Sequence, residues 1–259
     1  MPEPPIFVIS LARAKDRRAA IQSRLDSLGL RYEIFDAVDG EQVSQKDKWR
    51  FVRDDDLVLH RGVRLNDGEI GCALSHYKVW QTIAVGRIPA ALVLEDDVVP
   101  PPDLESIVRD VLQCKTKWDI VILHAKKPYR HSVLEDLGGG RNLVRFNRKV
   151  AGSVAYLITA AAAEKLVAYC CEFRAPIDYM YAEWWRNGLE FLGVLPAPIR
   201  HHRKGIPSLI QIGKKRKLPR TIFQHIAAAW WRFGDWRLRR RMIAQKKKDF
   251  RDEQRTVRR

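Results

Sequence analysis

The chain has 259 residues, 46% of them hydrophobic, which is enough for one large α/β domain with a real core and too apolar for a disordered chain. Its formal charge is +16, but 17 Lys and Arg stand against 4 Asp and Glu between Lys214 and Arg259, so +13 of it lies in the tail and the body is close to neutral. A uniformly basic nucleic-acid binder is not built this way, and four cysteines without a C-x-x-C pair exclude a zinc knuckle and read as small buried hydrophobes in a reducing compartment.

Met1 to Pro5 lacks the basic n-region of a signal peptide, and no run of about 18 apolar residues occurs, so a cytoplasmic chain without a transmembrane helix is expected. Ile6 to Leu11 reads as a buried strand. Asp16 to Leu28 carries Ala20, Ile21, Leu25 and Leu28 at helical spacing, with Gly29 where a helix C-cap belongs. Arg31 to Phe35 completes a β-α-β opening, which predicts a parallel sheet with a right-handed crossover.

Asp67 to Ala84 is predicted as a helix, broken by Gly86 to Pro89. Ala90 to Leu94 is a strand that stops at Glu95-Asp96-Asp97. Trp118 to Leu123 is a strand ending at His124, and Gly138 to Gly140 mark a turn or mobile loop. Ala151 to Thr159 reads as a strand, Ala160 to Tyr169 as a helix, and Asp178 to Asn187 as a short helix stopped by Gly188. Leu189 to Leu195 returns as a strand before Pro196 and Pro198. The alternation predicts one α/β domain over 1–213, followed by a basic, Trp-rich extension over 214–259.

A buried strand that ends in carboxylates matters because ligands of open α/β sheets bind beyond the carboxyl ends of the strands. If the extended geometry persists, Glu95 and Asp97 share a side and Asp96 points the other way, to a ribose hydroxyl or a supporting hydrogen bond. Two hard oxygen ligands suit Mg²⁺ or Mn²⁺ held against phosphates. The alternative is acids that merely solvate a loop before Pro100-Pro101-Pro102.

Ile6-Phe-Val-Ile-Ser-Leu11 with Asp16-Arg17-Arg18, Phe35-Asp-Ala-Val-Asp-Gly40, Gly68-Glu-Ile-Gly-Cys-Ala-Leu-Ser-His76, Leu94-Glu-Asp-Asp-Val98, Gly152 to Tyr156 and Pro176-Ile-Asp178 together resemble glycosyltransferase family 25 over about residues 5–210. That family holds lipooligosaccharide galactosyl- and glucosyltransferases and collagen galactosyltransferase domains. The resemblance implies a GT-A type nucleotide-sugar-binding fold with a mostly parallel central sheet. It also implies a UDP-sugar donor, Mn²⁺ or Mg²⁺, and inversion at the anomeric carbon.

On that resemblance Ser10, Leu11 and Arg13 follow the strand where GT-A folds receive uridine. Arg17 stands in the first turn of the next helix, and Asp36 and Ala37 border the base. Gly71 and Cys72 are small enough for backbone to approach a ligand, and Ser75 and His76 can hydrogen-bond sugar or phosphate. Glu95 and Asp97 are the expected metal pair, with Asp96 in support and a histidine, His202 or its neighbour His201, as a further ligand. Inversion needs a base distinct from the metal ligands. Asp178 is the first choice and Glu183 the second, while a plain helix N-cap remains the alternative for Asp178. Ser208 and Ile210 match a late motif of the family.

The expected function is an inverting, metal-dependent glycosyltransferase moving galactose or glucose to a lipopolysaccharide-core or related glycan. The alternative is an inert membrane- or glycan-binding relative. In the tail, Trp230, Trp231, Phe233 and Trp236 among Lys and Arg predict an amphipathic helix lying on an anionic membrane. That would place the chain peripherally on the inner face of the cytoplasmic membrane, near a lipid-linked saccharide acceptor. Nucleic acid is not an expected partner.

Overall fold

A computed structural model describes residues 3–53, 64–127, 129–201 and 221–257. Residues 65–201 within that set, together with 3–53, form one compact unit, and residues 221–257 belong to another. Ser208, Ile210 and His202 lie outside the described residues.

The first unit opens as its apolar spacing predicts. β1 (Ile6–Ser10) is buried throughout, α1 (Lys15–Ser27) follows, and β2 (Glu33–Asp36) pairs in parallel with β1. Gly29 takes φ +67, and the amides of Gly29 and Leu30 bond the carbonyls of Asp26 and Leu25. That is the double hydrogen bond of a Schellman stop, and it needs the left-handed residue glycine supplies.

α2 (Gln45–Phe51) precedes α3 (Asp67–Val85), whose start is fixed by a capping box. Asn66 accepts from the Glu69 amide and Glu69 accepts from the Asn66 amide. β3 (Ala90–Glu95) runs parallel to β1, and after a turn at Asp96 and Asp97 comes the short β4 (Val98–Val99).

α4 (Leu104–Gln113) leads to β5 (Ile120–Ile122), the hairpin β6 (His131–Gly138) and β7 (Arg141–Phe146), then β8 (Ala155–Thr159) and α5 (Ala160–Tyr169). The short helices α6 (Ile177–Met180) and α7 (Trp184–Asn187), β9 (Phe191–Leu195) and β10 (Arg200–His201) complete the unit. The predicted helix over 178–187 is thus two separate turns.

Eight strands form one sheet in the order β2-β1-β3-β8-β5-β9-β7-β6, and β10 pairs with β4 in a two-stranded ribbon. The sheet is mixed, not mostly parallel. β8 lies antiparallel between β3 and β5, and the β6–β7 hairpin adds antiparallel pairs beside β9. The parallel set is β2-β1-β3 with the β5–β9 pair.

Successive residues of the central strands face opposite sides of the sheet, and both sides are buried. Val8, Leu92, Leu94, Val121 and Leu157 join Ile21 and Leu25 of α1 and Ile107 and Val111 of α4 in one apolar cluster. The intervening Phe7, Ile9, Val93 and Ile158 are buried as well, on the face where Trp80 of α3 bonds Tyr156 of β8. Cover on both faces is why β1 and β3 read as unbroken apolar runs.

The second unit contributes α8 (Ile222–Val257), 36 residues and roughly 54 Å long. Phe223, Ile226, Trp230 and Phe233 recur every three or four residues and so form one stripe. All four are exposed, Phe223 and Trp230 by 83% and 70%. Phe233 packs edge-to-face on Trp230 and stacks on Trp236, while Arg237 and Arg240 lie over the Phe233 and Trp236 rings. No helix among the described residues is long and apolar enough to cross a membrane.

Candidate active site

The carboxyl ends of β1, β2 and β3 come together because the three strands run parallel with Ser10 opposite Asp36 and Ile9 opposite Glu95. A cleft of about 690 Å³, open mouth included, sits beyond them. Its lining contains Leu11, Arg13, Arg17, Ala37, Gly71, Ser75, His76, Glu95, Asp96 and Asp97 from the expected set. Val38, Asp39, Gly40 and Glu41, for which the sequence suggested no role, form another part of its wall. Asp39 holds Arg13 at 2.7 Å.

The acidic run does not keep the extended alternation expected of it. Glu95 is the last residue of β3, and the chain turns at the next two. Asp96 is 5% exposed, accepts from Ser10 Oγ at 2.8 Å and ion-pairs with Arg17. Burial raises its carboxyl above the usual range, against the opposing pull of Arg17 and Ser10. Asp97 Oδ2 meets Arg17 Nη2 at 2.8 Å and His201 Nε2 at 3.1 Å. Burial pushes Asp97 up as well, but the His201 hydrogen bond and the Arg17 charge outweigh it and hold the carboxyl below its ordinary value.

Glu95 faces a different set of partners. Its Oε1 accepts from Ser153 Oγ at 2.7 Å and lies 3.3 Å from His76 Nε2. His76 Nδ1 is hydrogen-bonded to Tyr156 Oη at 2.8 Å, and Trp80 Nε1 donates to the same oxygen at 2.9 Å. Glu95 and Asp97 therefore border one cleft from different hydrogen-bond networks.

Among the described residues Asp97 Oδ1 is buried without a hydrogen-bond partner. A carboxylate oxygen in that state is costly unless something cationic completes it. A hard, oxygen-seeking ion would satisfy it, and Glu95 lines the same cleft. Among the described residues His201 is the histidine brought beside the acidic turn, because β10 pairs His201 with Val98 of β4.

Several expected residues also make scaffold contacts. Gly71 lines the cleft, and its missing side chain also admits the 38–40 loop. A Cβ there would stand 2.5 Å from the Val38 carbonyl oxygen, and one on Gly40 would stand 1.7 Å from that of Asp67. Ser75 Oγ donates to the Gly71 carbonyl at 2.6 Å and accepts from the Val38 amide at 2.8 Å, so its one proton is already spent. Ser10 is buried off the cleft lining and donates to Asp96. Asp36 is outside the lining, largely exposed and paired with Arg18 at 2.6 Å.

Glu183 is buried and also off the lining. Its two oxygens take Lys149 Nζ at 3.1 Å and Tyr169 Oη at 2.9 Å. Asp178 is half-buried in the single turn of α6, and its charge helps raise the Cys72 thiol and the Tyr181 hydroxyl. His124 bonds the Ile199 carbonyl at 3.0 Å, its ring 6.1 Å from that of His201.

The cysteines are all free thiols. Cys170 is the buried hydrophobe expected, whereas Cys171 is exposed and Cys72 lines the cleft.

The sequence matches the family model described as "Glycosyltransferase family 25 (LPS biosynthesis protein)" over residues 3–181. It is 34% identical over 228 residues to a rat protein named "Probable inactive glycosyltransferase 25 family member 3", covering 74% of this chain and 37% of that protein. The corresponding mouse protein, "Inactive glycosyltransferase 25 family member 3", is 34% identical over 186 residues, 63% of this chain and 28% of its own length. "Procollagen galactosyltransferase 1-A" of Xenopus laevis is 30% identical over 169 residues, 62% of this chain and 28% of its own. The chain thus spans little more than a third of the length of these relatives, or less.

Proposed function

The chain belongs to glycosyltransferase family 25, and on that premise we propose that it is an inverting, metal-dependent hexosyltransferase that moves galactose or glucose from a UDP-sugar to a lipopolysaccharide-core or related glycan. One observation carries the reading. Three consecutive acids end a central strand at a cleft, and one of them keeps a buried oxygen without a partner. The family description names lipopolysaccharide biosynthesis, and one relative's name contains galactosyltransferase.

In this reading Leu11, Arg13 and Ala37 receive the nucleoside end of the donor, and the Arg17 guanidinium faces its diphosphate. Asp97 Oδ1 and Glu95 hold Mn²⁺ or Mg²⁺, with His201 or His202 beside them. Such an ion, when bound, offsets the charge that grows on the departing diphosphate. Asp178 takes the proton of the acceptor hydroxyl as its oxygen bonds the anomeric carbon and the bond to UDP breaks on the opposite face. Its half-buried position off the cleft lining keeps it distinct from the metal pair.

The test is incubation of the purified chain with UDP-galactose or UDP-glucose, Mn²⁺ and a truncated lipooligosaccharide. Transfer is expected, with Asp97→Ala and Asp178→Ala each lowering the rate on the order of a hundredfold or more. Full transfer by both variants overturns the role assignment.

The inert reading is favoured by the names of the rat and mouse relatives. Calorimetry with UDP and Mn²⁺ separates it, because donor binding without turnover across an acceptor panel is its signature.

The second unit has a proposed partner too. The exposed stripe of α8 supports binding to an anionic membrane, which would hold the enzyme near a lipid-linked saccharide acceptor.

A further inference from the structure

We propose that the floor of the cleft contains a second kind of cation site, in which Cys72, His76 and Glu95 bind a thiophilic divalent ion of the Zn²⁺ or Co²⁺ type.

Cys72 and His76 stand four residues apart on α3, so their side chains share one face of the helix. Glu95 reaches the same point from the end of β3. One ligand atom from each of the three lies within 4.8 Å of the other two. Three ligands of a tetrahedral ion with bonds of about 2.0–2.3 Å stand roughly 3.3–3.8 Å apart. Glu95 Oε1 and His76 Nε2 are already 3.3 Å apart, so closing the set asks for movement of the Cys72 thiol by roughly an ångström.

The surroundings favour this use. The Tyr156 hydroxyl sits on His76 Nδ1, the nitrogen away from Glu95, and is itself fixed by Trp80. A partner on the far nitrogen is what orients a metal-bound imidazole. Ser153 fixes Glu95 in the same way. All three ligands line the cleft, which provides an entry path and an open fourth position for water.

Sulfur, nitrogen and oxygen in one set select zinc-like ions over Mg²⁺ and Mn²⁺, which prefer oxygen alone. On binding, the thiol gives its proton to solvent and the thiolate becomes the ligand. Because Glu95 is shared, a zinc-like ion here competes with the hard cation proposed above. That consequence rests on the proposed function; the site itself rests on the three side chains.

Co²⁺ alone is titrated into the full-length reduced chain and the near-ultraviolet spectrum followed. A thiolate-to-cobalt charge-transfer band that saturates at one equivalent is expected. Cys72→Ala and the better space-filling Cys72→Ser should abolish it while circular dichroism stays native. Tyr156→Phe should weaken cobalt affinity about tenfold. Asp97→Asn should leave the band in place.

A wild-type chain without the band overturns the proposal, as does a band that survives in a folded Cys72→Ser variant. The cobalt band without Mn²⁺-dependent UDP binding upholds this site and rejects the Mn²⁺ reading. Mn²⁺-dependent UDP binding without the cobalt band does the reverse.

Discussion

Arg17 presents one guanidinium nitrogen, Nη2, to Asp97 Oδ2 at 2.8 Å, and the same nitrogen contacts Asp96. One cation from α1 thus bridges both carboxylates of the turn that follows β3. The side chains of all three are nearly buried, with Arg17 11% exposed. Coulomb attraction here acts through little water, but each charge has lost its hydration. Removing Arg17 would leave two adjacent carboxylates without that partner. Arg17→Leu is expected to cost about 3 kcal/mol in urea unfolding at neutral pH. Added Mn²⁺ should recover part of it, because a cation at Asp97 supplies the missing charge. A loss below about 1 kcal/mol would mark the pair as a solvated surface bridge and remove its role in holding the turn.

The second prediction concerns the contact between the 37–41 loop and the start of α3. These two segments meet backbone on backbone, and the Ser75 hydroxyl joins them from both sides. A methyl group on Gly40 would stand 1.7 Å from the Asp67 carbonyl oxygen, closer than any packing allows. The obstacle is main chain, which yields less readily than a side chain. Gly40→Ala should therefore cost at least about 3 kcal/mol, the upper end of ordinary overpacking, and open the cleft wall. The check is thermal unfolding, with Gly138→Ala as a comparison at a site that has open space but positive φ. Equal losses in the two variants would show that steric contact at Gly40 is not the determining term.

Local features of this fold are legible in the sequence, and long-range ones are not. β1, α1 and β2 are written in runs of apolar residues and a well-placed glycine. The Asn66–Glu69 capping box is equally local. The β6–β7 hairpin escaped because β6 is an edge strand with polar and apolar residues interleaved and little of it buried. Only its Gly138–Gly140 turn stood out. That omission, with β8 entering antiparallel, turns an expected parallel sheet into a mixed one. At the site, the acidic run was visible but its geometry was not. Whether Asp96 and Asp97 continue a strand or turn back depends on Arg17, Ser10 and His201, which arrive from distant parts of the chain.

Glu135 gives a prediction about pH. Its carboxylate accepts from the amides of Lys115 and Thr116 at 2.9 Å each and from the Thr116 hydroxyl at 2.7 Å, pinning the segment after α4 to β6. Burial pushes the carboxyl up, and these hydrogen bonds more than offset it, leaving it below the ordinary value. A depressed folded value means the unfolded chain binds the proton more readily. The stability Glu135 contributes is therefore present above the usual glutamate range and lost as pH falls through the lowered value. Glu135→Gln should lower the urea midpoint at pH 7, and the gap to wild type should be narrower at pH 3. A gap of the same size at both values would mean that shape, not charge, is what the position supplies.

The stripe on α8 makes the last prediction. Trp230 and Phe233 are exposed by 70% and 49%, and Arg237 and Arg240 extend the same line of residues. Large apolar side chains left in water in a row usually mark a contact surface. With +13 of the chain's charge between Lys214 and Arg259, an anionic lipid surface satisfies both parts. Aromatic rings would enter the headgroup layer while the guanidinium groups meet phosphates. The full chain should co-sediment with vesicles of phosphatidylcholine and phosphatidylglycerol but not with phosphatidylcholine alone, and salt should release it. The double substitution Trp230→Ser and Phe233→Ser should reduce partitioning about tenfold or more, since each buried ring is worth roughly 1.5 kcal/mol or above. Vesicle binding that survives this change, while remaining sensitive to salt, would assign the attraction to charge alone and remove the aromatic stripe from it.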